Sequence, residues 1–143
     1  MGGYQMILIL LVTILFSTLI ITSYDTLFDQ TQFAYYETYN LQGIKVADKQ
    51  FQKIESEFLG NIYSFSDLNN VYSNYSDSLT VNDVTYNYHI EASYCDSSGH
   101  TVGGSSSYQR FDVRIWAKPA TSDTVYIGTS ANPLSMMLTD MGL

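Results

Sequence analysis

Residues 6–21 read MILILLVTILFSTLII, a run without charge in which only Thr13, Ser17 and Thr18 interrupt the apolar side chains. No proline occurs from residue 4 to residue 58, Gly43 is the only glycine in that interval, and the first positive side chain is Lys45. The pattern predicts one continuous α-helix over about 4–58, roughly 80 Å long at 1.5 Å per residue. Beyond Tyr24 the helix is expected to become amphipathic. Ile44, Ala47, Phe51, Ile54 and Phe58 recur at alternating spacings of three and four, which puts them on one face, and Phe33, Tyr36 and Asn40 extend that stripe backwards. Lys45, Asp48, Lys49, Gln52, Lys53 and Glu55 fall opposite, so one face packs and the other is wet. Gly43 costs about 1 kcal/mol against alanine in a helix interior and marks a bend or a close contact. Gly60 and Asn61 form a plausible C-terminal cap.

Residues 61–78 are rich in Asn, Ser, Asp and Tyr and read as a loop from helix to sheet, with room for a short helix from Ser66. Strand signals follow. Residues 79–81 and 84–94 flank an Asn82-Asp83 turn that lacks the preferred glycine. In the second run Thr85, Asn87, His89 and Glu91 alternate with Tyr86, Tyr88, Ile90 and Ala92. Residues 96–107, DSSGHTVGGSSS, read as a flexible loop. Residues 110–117 alternate again until Pro119, and 124–129 make a fourth strand that Pro133 stops, leaving PLSMMLTDMGL as a short apolar turn. The fold class expected is α+β: a long N-terminal helix packed on a roughly four-stranded antiparallel sheet. Three segments are expected: an apolar half-helix over 1–24, an amphipathic half over 25–60 and a β-rich head over 61–143.

Composition narrows the function. The chain has 143 residues, a formal net charge of −8, thirteen Tyr, seven Phe and one Trp. Low charge with a Ser, Thr, Asn and Tyr surface suits an extracellular protein. No basic patch exists for a phosphate backbone, so no nucleic-acid partner is expected. Cys95 is the only cysteine and forms no intramolecular disulfide. Exposed, it could pair between chains; buried, it is an apolar thiol.

Residues 1–24 admit three readings. A cleaved signal peptide wants a positive start, whereas MGGYQ has none, and the helical pattern runs on past Tyr24. A transmembrane helix needs about 20 mostly apolar residues, and residues 4–24 fit, with Tyr4 and Tyr24 at the interfaces. Asp25 and Asp29 beyond the span favour a head outside the cytoplasm. The absence of basic residues at the start implies that a short basic leader was removed, leaving Met1 as the mature first residue. The third reading is a buried helix in a polymer, with the membrane as an earlier stage. Thr13, Ser17, Thr18 and Thr22 could let such helices approach and bond to one another, or could satisfy carbonyls of their own helix.

Candidate chemistry is sparse. His89 lies at the polar phase of a strand and His100 in a glycine-serine loop, and with Cys95 and Asp96 they lack the spacing of a metal motif. Ser105, Ser106 and Ser107 lack the strand–elbow–helix setting of a nucleophile. Gly103-Gly104 does not match a phosphate-cradling loop. No CxxCH haem attachment occurs. The tyrosines read as half-buried sheet and interface residues. Neither an enzyme nor a cofactor is expected. Asn74-Tyr75-Ser76 matches the short N-glycosylation pattern at Asn74.

An apolar N-terminal segment running into an amphipathic helix, followed by an antiparallel sheet, resembles the type IV pilin and pseudopilin family over nearly the whole chain. The resemblance implies a peptidase-trimmed subunit held in the inner membrane before assembly, then built by dedicated machinery into a helical filament of identical copies at the cell surface. Its subunit-packing residues would be Met6, Ile7, Leu8, Ile9, Leu10, Leu11, Ile14, Leu15, Phe16, Leu19 and Ile20. Family members usually start with Phe and use a glutamate to meet a neighbour's terminal amine. Gln5 stands at that place here and is the docking candidate, able to accept a hydrogen bond but carrying no charge. The apolar half also lacks the helix-breaking proline or glycine of many members, and the chain lacks the C-terminal disulfide of others. The expected function is a structural filament subunit; the alternatives are a minor pseudopilin or tip component, and a singly anchored ectodomain that does not polymerise.

Overall fold

The computed structural model describes residues 2–120 and 123–142. Helix α1 spans Gly2–Leu59 without interruption. Its end is the expected cap: Asn61 takes a left-handed φ of 52°, and the Ile62 amide donates to the Glu57 carbonyl at 2.9 Å, closing the last turn in the Schellman manner. Helix α2, Phe65–Tyr72, starts at Ser64, whose hydroxyl accepts from the Asp67 amide and donates to the Asp67 carboxylate at 2.6 Å. That is a serine N-cap, with the Asp67 carboxylate in the first turn bonded to the capping hydroxyl.

Five strands follow: β1 Tyr75–Val81, β2 Val84–Cys95, β3 Tyr108–Ala117, β4 Val125–Ile127 and β5 Leu134–Thr139. All pairings are antiparallel. The order is β1-β2-β3-β4, with β5 also on β3. The β1–β2 turn has positive φ at both Asn82 (49°) and Asp83 (63°), the twist-matched hairpin turn adopted without glycine. Among the described residues the sheet has five strands rather than four, and β1 begins at Tyr75 rather than at Leu79. Strand β4 is shorter than expected because Gly128 turns the chain at φ +73°, where a Cβ would stand 2.8 Å from the Val113 carbonyl. The segment expected to be an apolar turn is β5: Leu134, Met136 and Leu138 pack on the core, while Met137 on the other phase is 44% exposed. Consecutive methionines hide that alternation in the sequence, and Pro133 precedes the strand, where a missing N–H costs nothing. The 96–107 loop is also more ordered at its start than its composition suggests. The Asp96 carboxylate accepts from the amides of Ser98 (2.8 Å) and His100 (2.9 Å), which holds its pKa below the ordinary carboxylate value, and Arg110 donates to the Gly99 carbonyl at 2.6 Å.

The chain divides into one unit up to Thr38 and a second from Tyr39 onward. In the second unit the register pairs Tyr86 with Ala117, Tyr88 with Ile115, Ile90 with Val113 and Ala92 with Phe111. These eight buried side chains form one sheet face, and Leu68, Tyr72, Ala47, Ile54 and Phe58 from the helices complete the core. Phe51 is partly buried against it. Ile44, placed on the packing stripe by its spacing, is instead 41% exposed. The buried stripe runs through Gly43, Val46, Ala47, Gln50, Ile54 and Phe58, rotated about the helix axis away from Ile44. Gly43 explains the rotation, since a Cβ there would lie 2.6 Å from Ile127 Cδ1. Of the two expectations for Gly43, a bend or a close contact, the structure has the close contact: helix and β4 touch there.

The Tyr72 hydroxyl ties α2 to α1 by donating to Glu57 Oε2 at 2.6 Å, and Lys53 Nζ lies 3.9 Å from the other carboxylate oxygen. Burial, then the Glu57 carboxylate, pushes the Tyr72 pKa well above the ordinary phenol value. Burial and the Asp77 charge push Tyr88 up to about 12.

Two outcomes follow from this packing. Gly43→Ala, which would stabilise an open helix by about 1 kcal/mol, is expected to destabilise the protein by about 1 kcal/mol through overpacking. Ile127→Val, which deletes the clashing Cδ1, recovers part of the loss; urea unfolding of the detergent-solubilised chain, read by Trp116 fluorescence, checks both. Tyr72→Phe is expected to cost about 1–2 kcal/mol at neutral pH. Folded Tyr72 and Tyr88 keep their protons to higher pH than the unfolded chain does, so their contribution is complete below about pH 10 and is lost as pH rises above it. The Tyr72→Phe chain should lose stability less steeply between pH 10 and pH 11.5 in the same assay.

Candidate assembly surface

The first unit is helix alone, and every residue from 2 to 38 is exposed. The large apolar side chains between Met6 and Ile21 are 38% to 75% exposed. The most apolar 18-residue window of α1 has a mean hydropathy of 2.6 and no buried residue. By length and composition α1 can therefore cross a membrane. The expected packing residues Met6, Ile7, Leu8, Ile9, Leu10, Leu11, Ile14, Leu15, Phe16, Leu19 and Ile20 all lie in this uncovered stretch.

The threonine hydroxyls of the stretch are turned inward. Thr13 donates to the Ile9 carbonyl (2.8 Å), Thr18 to Ile14 (2.8 Å) and Thr22 to Thr18 (2.7 Å). Ser23, Thr26, Thr31 and Thr38 likewise bond to the carbonyl four residues back. A hydroxyl whose proton is held by its own helix presents mainly its methyl or methylene outward, so the surface here is more apolar than its composition suggests.

The uncovered apolar surface does not stop where a membrane span would. Leu27 is 59% exposed, Phe28 64%, Phe33 67% and Tyr35 60%. Phe33 and Tyr36 were expected to continue the sheet-packing stripe, but Tyr36 is also 45% exposed. The earliest buried position on the helix is Gly43, and Tyr39 is partly buried. Periodicity marks this aromatic stripe as one that packs, but does not name its partner. Asp25, Asp29 and Glu37 are the charges of the segment, all exposed.

Elsewhere the candidate groups are dispersed. His89 Nδ1 lies 2.8 Å from Ser76 Oγ on the outer sheet face. His100 Nδ1 lies 3.6 Å from Asp96 at the tip of the β2–β3 loop. Cys95 is fully buried, and burial pushes its thiol pKa up, which keeps it protonated and inert. Among the described residues no three His, Cys, Asp or Glu side chains converge on a point that could hold a metal ion. Asn74 is exposed in the turn before β1, and Gln5 is exposed near the start of α1. Compared with known proteins, this chain matches no family model, no curated protein and no solved structure.

Proposed function

We propose that this protein is the structural subunit of a pilin-like filament, held in a membrane by the front of α1 before assembly and packed through the same surface afterwards. One observation carries the reading. A hydrocarbon core about 30 Å thick covers roughly 20 helical residues, whereas exposed large apolar side chains run from Tyr4 to Tyr36. A bilayer accounts for residues 4–24 and leaves Leu27, Phe28, Phe33, Tyr35 and Tyr36 in water. Each large apolar side chain left exposed forgoes about 1.5–3 kcal/mol, so the full stretch forgoes tens of kcal/mol. Copies of the same helix laid side by side cover the membrane-length part and the aromatic part together. A head-to-tail contact between unlike patches does not close on itself and grows into a helical polymer.

The head fits this role through what it exposes. Its core is filled by its own helix and sheet, and its outer face carries Ser76, Ser78, Asn87, His89, Glu91 and Arg114 beside Trp116 and Tyr126, a mostly polar surface that suits exposure around a filament.

Leu10→Asp and Leu15→Asp each place a charge in the proposed dry core. Both are expected to abolish filaments in electron micrographs of sheared surface material. Filaments like those of the unaltered chain from either variant would overturn the reading.

A further inference from the structure

The proposal above places the stretch between the membrane span and the head among neighbouring copies, and that stretch contains Asp25 and Asp29. Both are exposed, and neither has an ion-pair partner among the described residues. A carboxylate surrounded by apolar helices without a cation is strongly unfavourable. No Lys or Arg occurs before residue 45, so a neighbour's copy of the same stretch supplies no cation either. The compensating charge has to come from another part of a second copy.

The chain has six Lys and Arg side chains, and three of them are engaged. Arg110 pairs with Asp112 at 2.9 Å, and Arg114 pairs with Glu91. Lys53 lies near Glu57 and over the Tyr75 ring, 5.6 Å from its centroid. Lys118 is a single charge beyond the end of β3. Lys45 and Lys49 are different. They are exposed on the outer side of α1, while their neighbours Val46, Ala47 and Gln50 are buried, and no ion pair among the described residues involves them. Asp48 lies between them in sequence without pairing to either.

The spacings match. Asp25 and Asp29 are four residues apart on a helix, which puts them on one face one turn apart. Lys45 and Lys49 are also four residues apart on a helix and share a face in the same way. We infer that the Asp25–Asp29 pair of one copy docks on the Lys45–Lys49 pair of the next, and that this contact sets the register between filament subunits. The inference rests on the filament reading and adds to it the residues that fix the stagger. Apolar side chains alone specify register poorly, because Leu and Ile slide past one another at similar energy, whereas two matched charges one turn apart favour one alignment and repel its neighbours. Because the acidic patch fits the basic patch and not itself, the contact is heterologous and propagates.

The test is a charge cycle on the full chain, with membrane insertion and filament yield measured for every variant. Asp25→Asn with Asp29→Asn, and Lys45→Gln with Lys49→Gln, are each expected to insert normally and to lower filament yield about tenfold. The chain carrying all four changes should lose no more than either pair alone, because both pairs remove one contact. Losses that multiply in the four-fold variant, or full yield from either pair, would overturn the docking while leaving the filament reading intact. Glu37→Gln, which removes the other exposed carboxylate of this stretch, is expected to leave yield unchanged; a tenfold loss that couples to the lysine changes would assign the partner to Glu37 and overturn the proposal. If the unaltered chain forms no filament and Leu10→Asp changes nothing but insertion, the underlying reading fails, and the docking with it.

Discussion

Apolar surface that its own chain does not cover is the constraint from which the rest of this protein's design follows. In most small α+β domains a helix shows one apolar stripe, and the sheet buries it. Here that arrangement holds from Gly43 to Phe58, while from Met6 to Ile21 the helix is apolar on nearly all sides and bare, and exposed large apolar side chains continue to Tyr36. Helix propensity does not decide the matter, because isolated helices draw most of their stability from an environment that accepts their apolar face. By length and composition the front unit can cross a membrane.

The head is built to keep its attachment to the helix rigid. Gly43 brings the helix backbone against Ile127, Tyr72 binds Glu57 across the two helices, and Tyr86 donates to Gln42 Oε1 at 2.8 Å. Gln109, fully buried, donates to the Phe65 carbonyl and fixes α2 to the sheet. These polar contacts lie where α1, α2 and the sheet meet. Buried hydrogen bonds have direction and tolerate little sliding, so they specify one arrangement where apolar contacts would accept several.

Much of the fold was legible along the chain. The long helix, its cap at Gly60 and Asn61, and the Asn82-Asp83 turn follow from local chemistry: an uninterrupted apolar run, a residue that tolerates positive φ, and two short polar residues between alternating strands. The inward phase of β2 and β3 follows from period-two alternation over ten or more residues, which leaves only one way to bury Tyr86, Ile90, Phe111 and Ile115. Less was legible where the signal was short or ambiguous. Strand β5 was hidden by Met136 and Met137 in succession and by Pro133, and the early part of β1 by serine and aspartate on an edge strand whose outer face is wet.

What the sequence determined by itself is the set of local conformations and the presence of a surface that cannot stay in water, because both depend on side chains a few positions apart. Which side of α1 meets the sheet was decided only by the tertiary structure: the spacing that nominated Ile44 serves Val46 and Gln50 as well, and the absence of a side chain at Gly43 selects between them by letting Ile127 approach. Phe33 and Tyr36 are exposed in the structure. Their spacing is that of a packing stripe, but a stripe records only that something must cover it, and the partner is a matter of three-dimensional reach that no periodicity encodes.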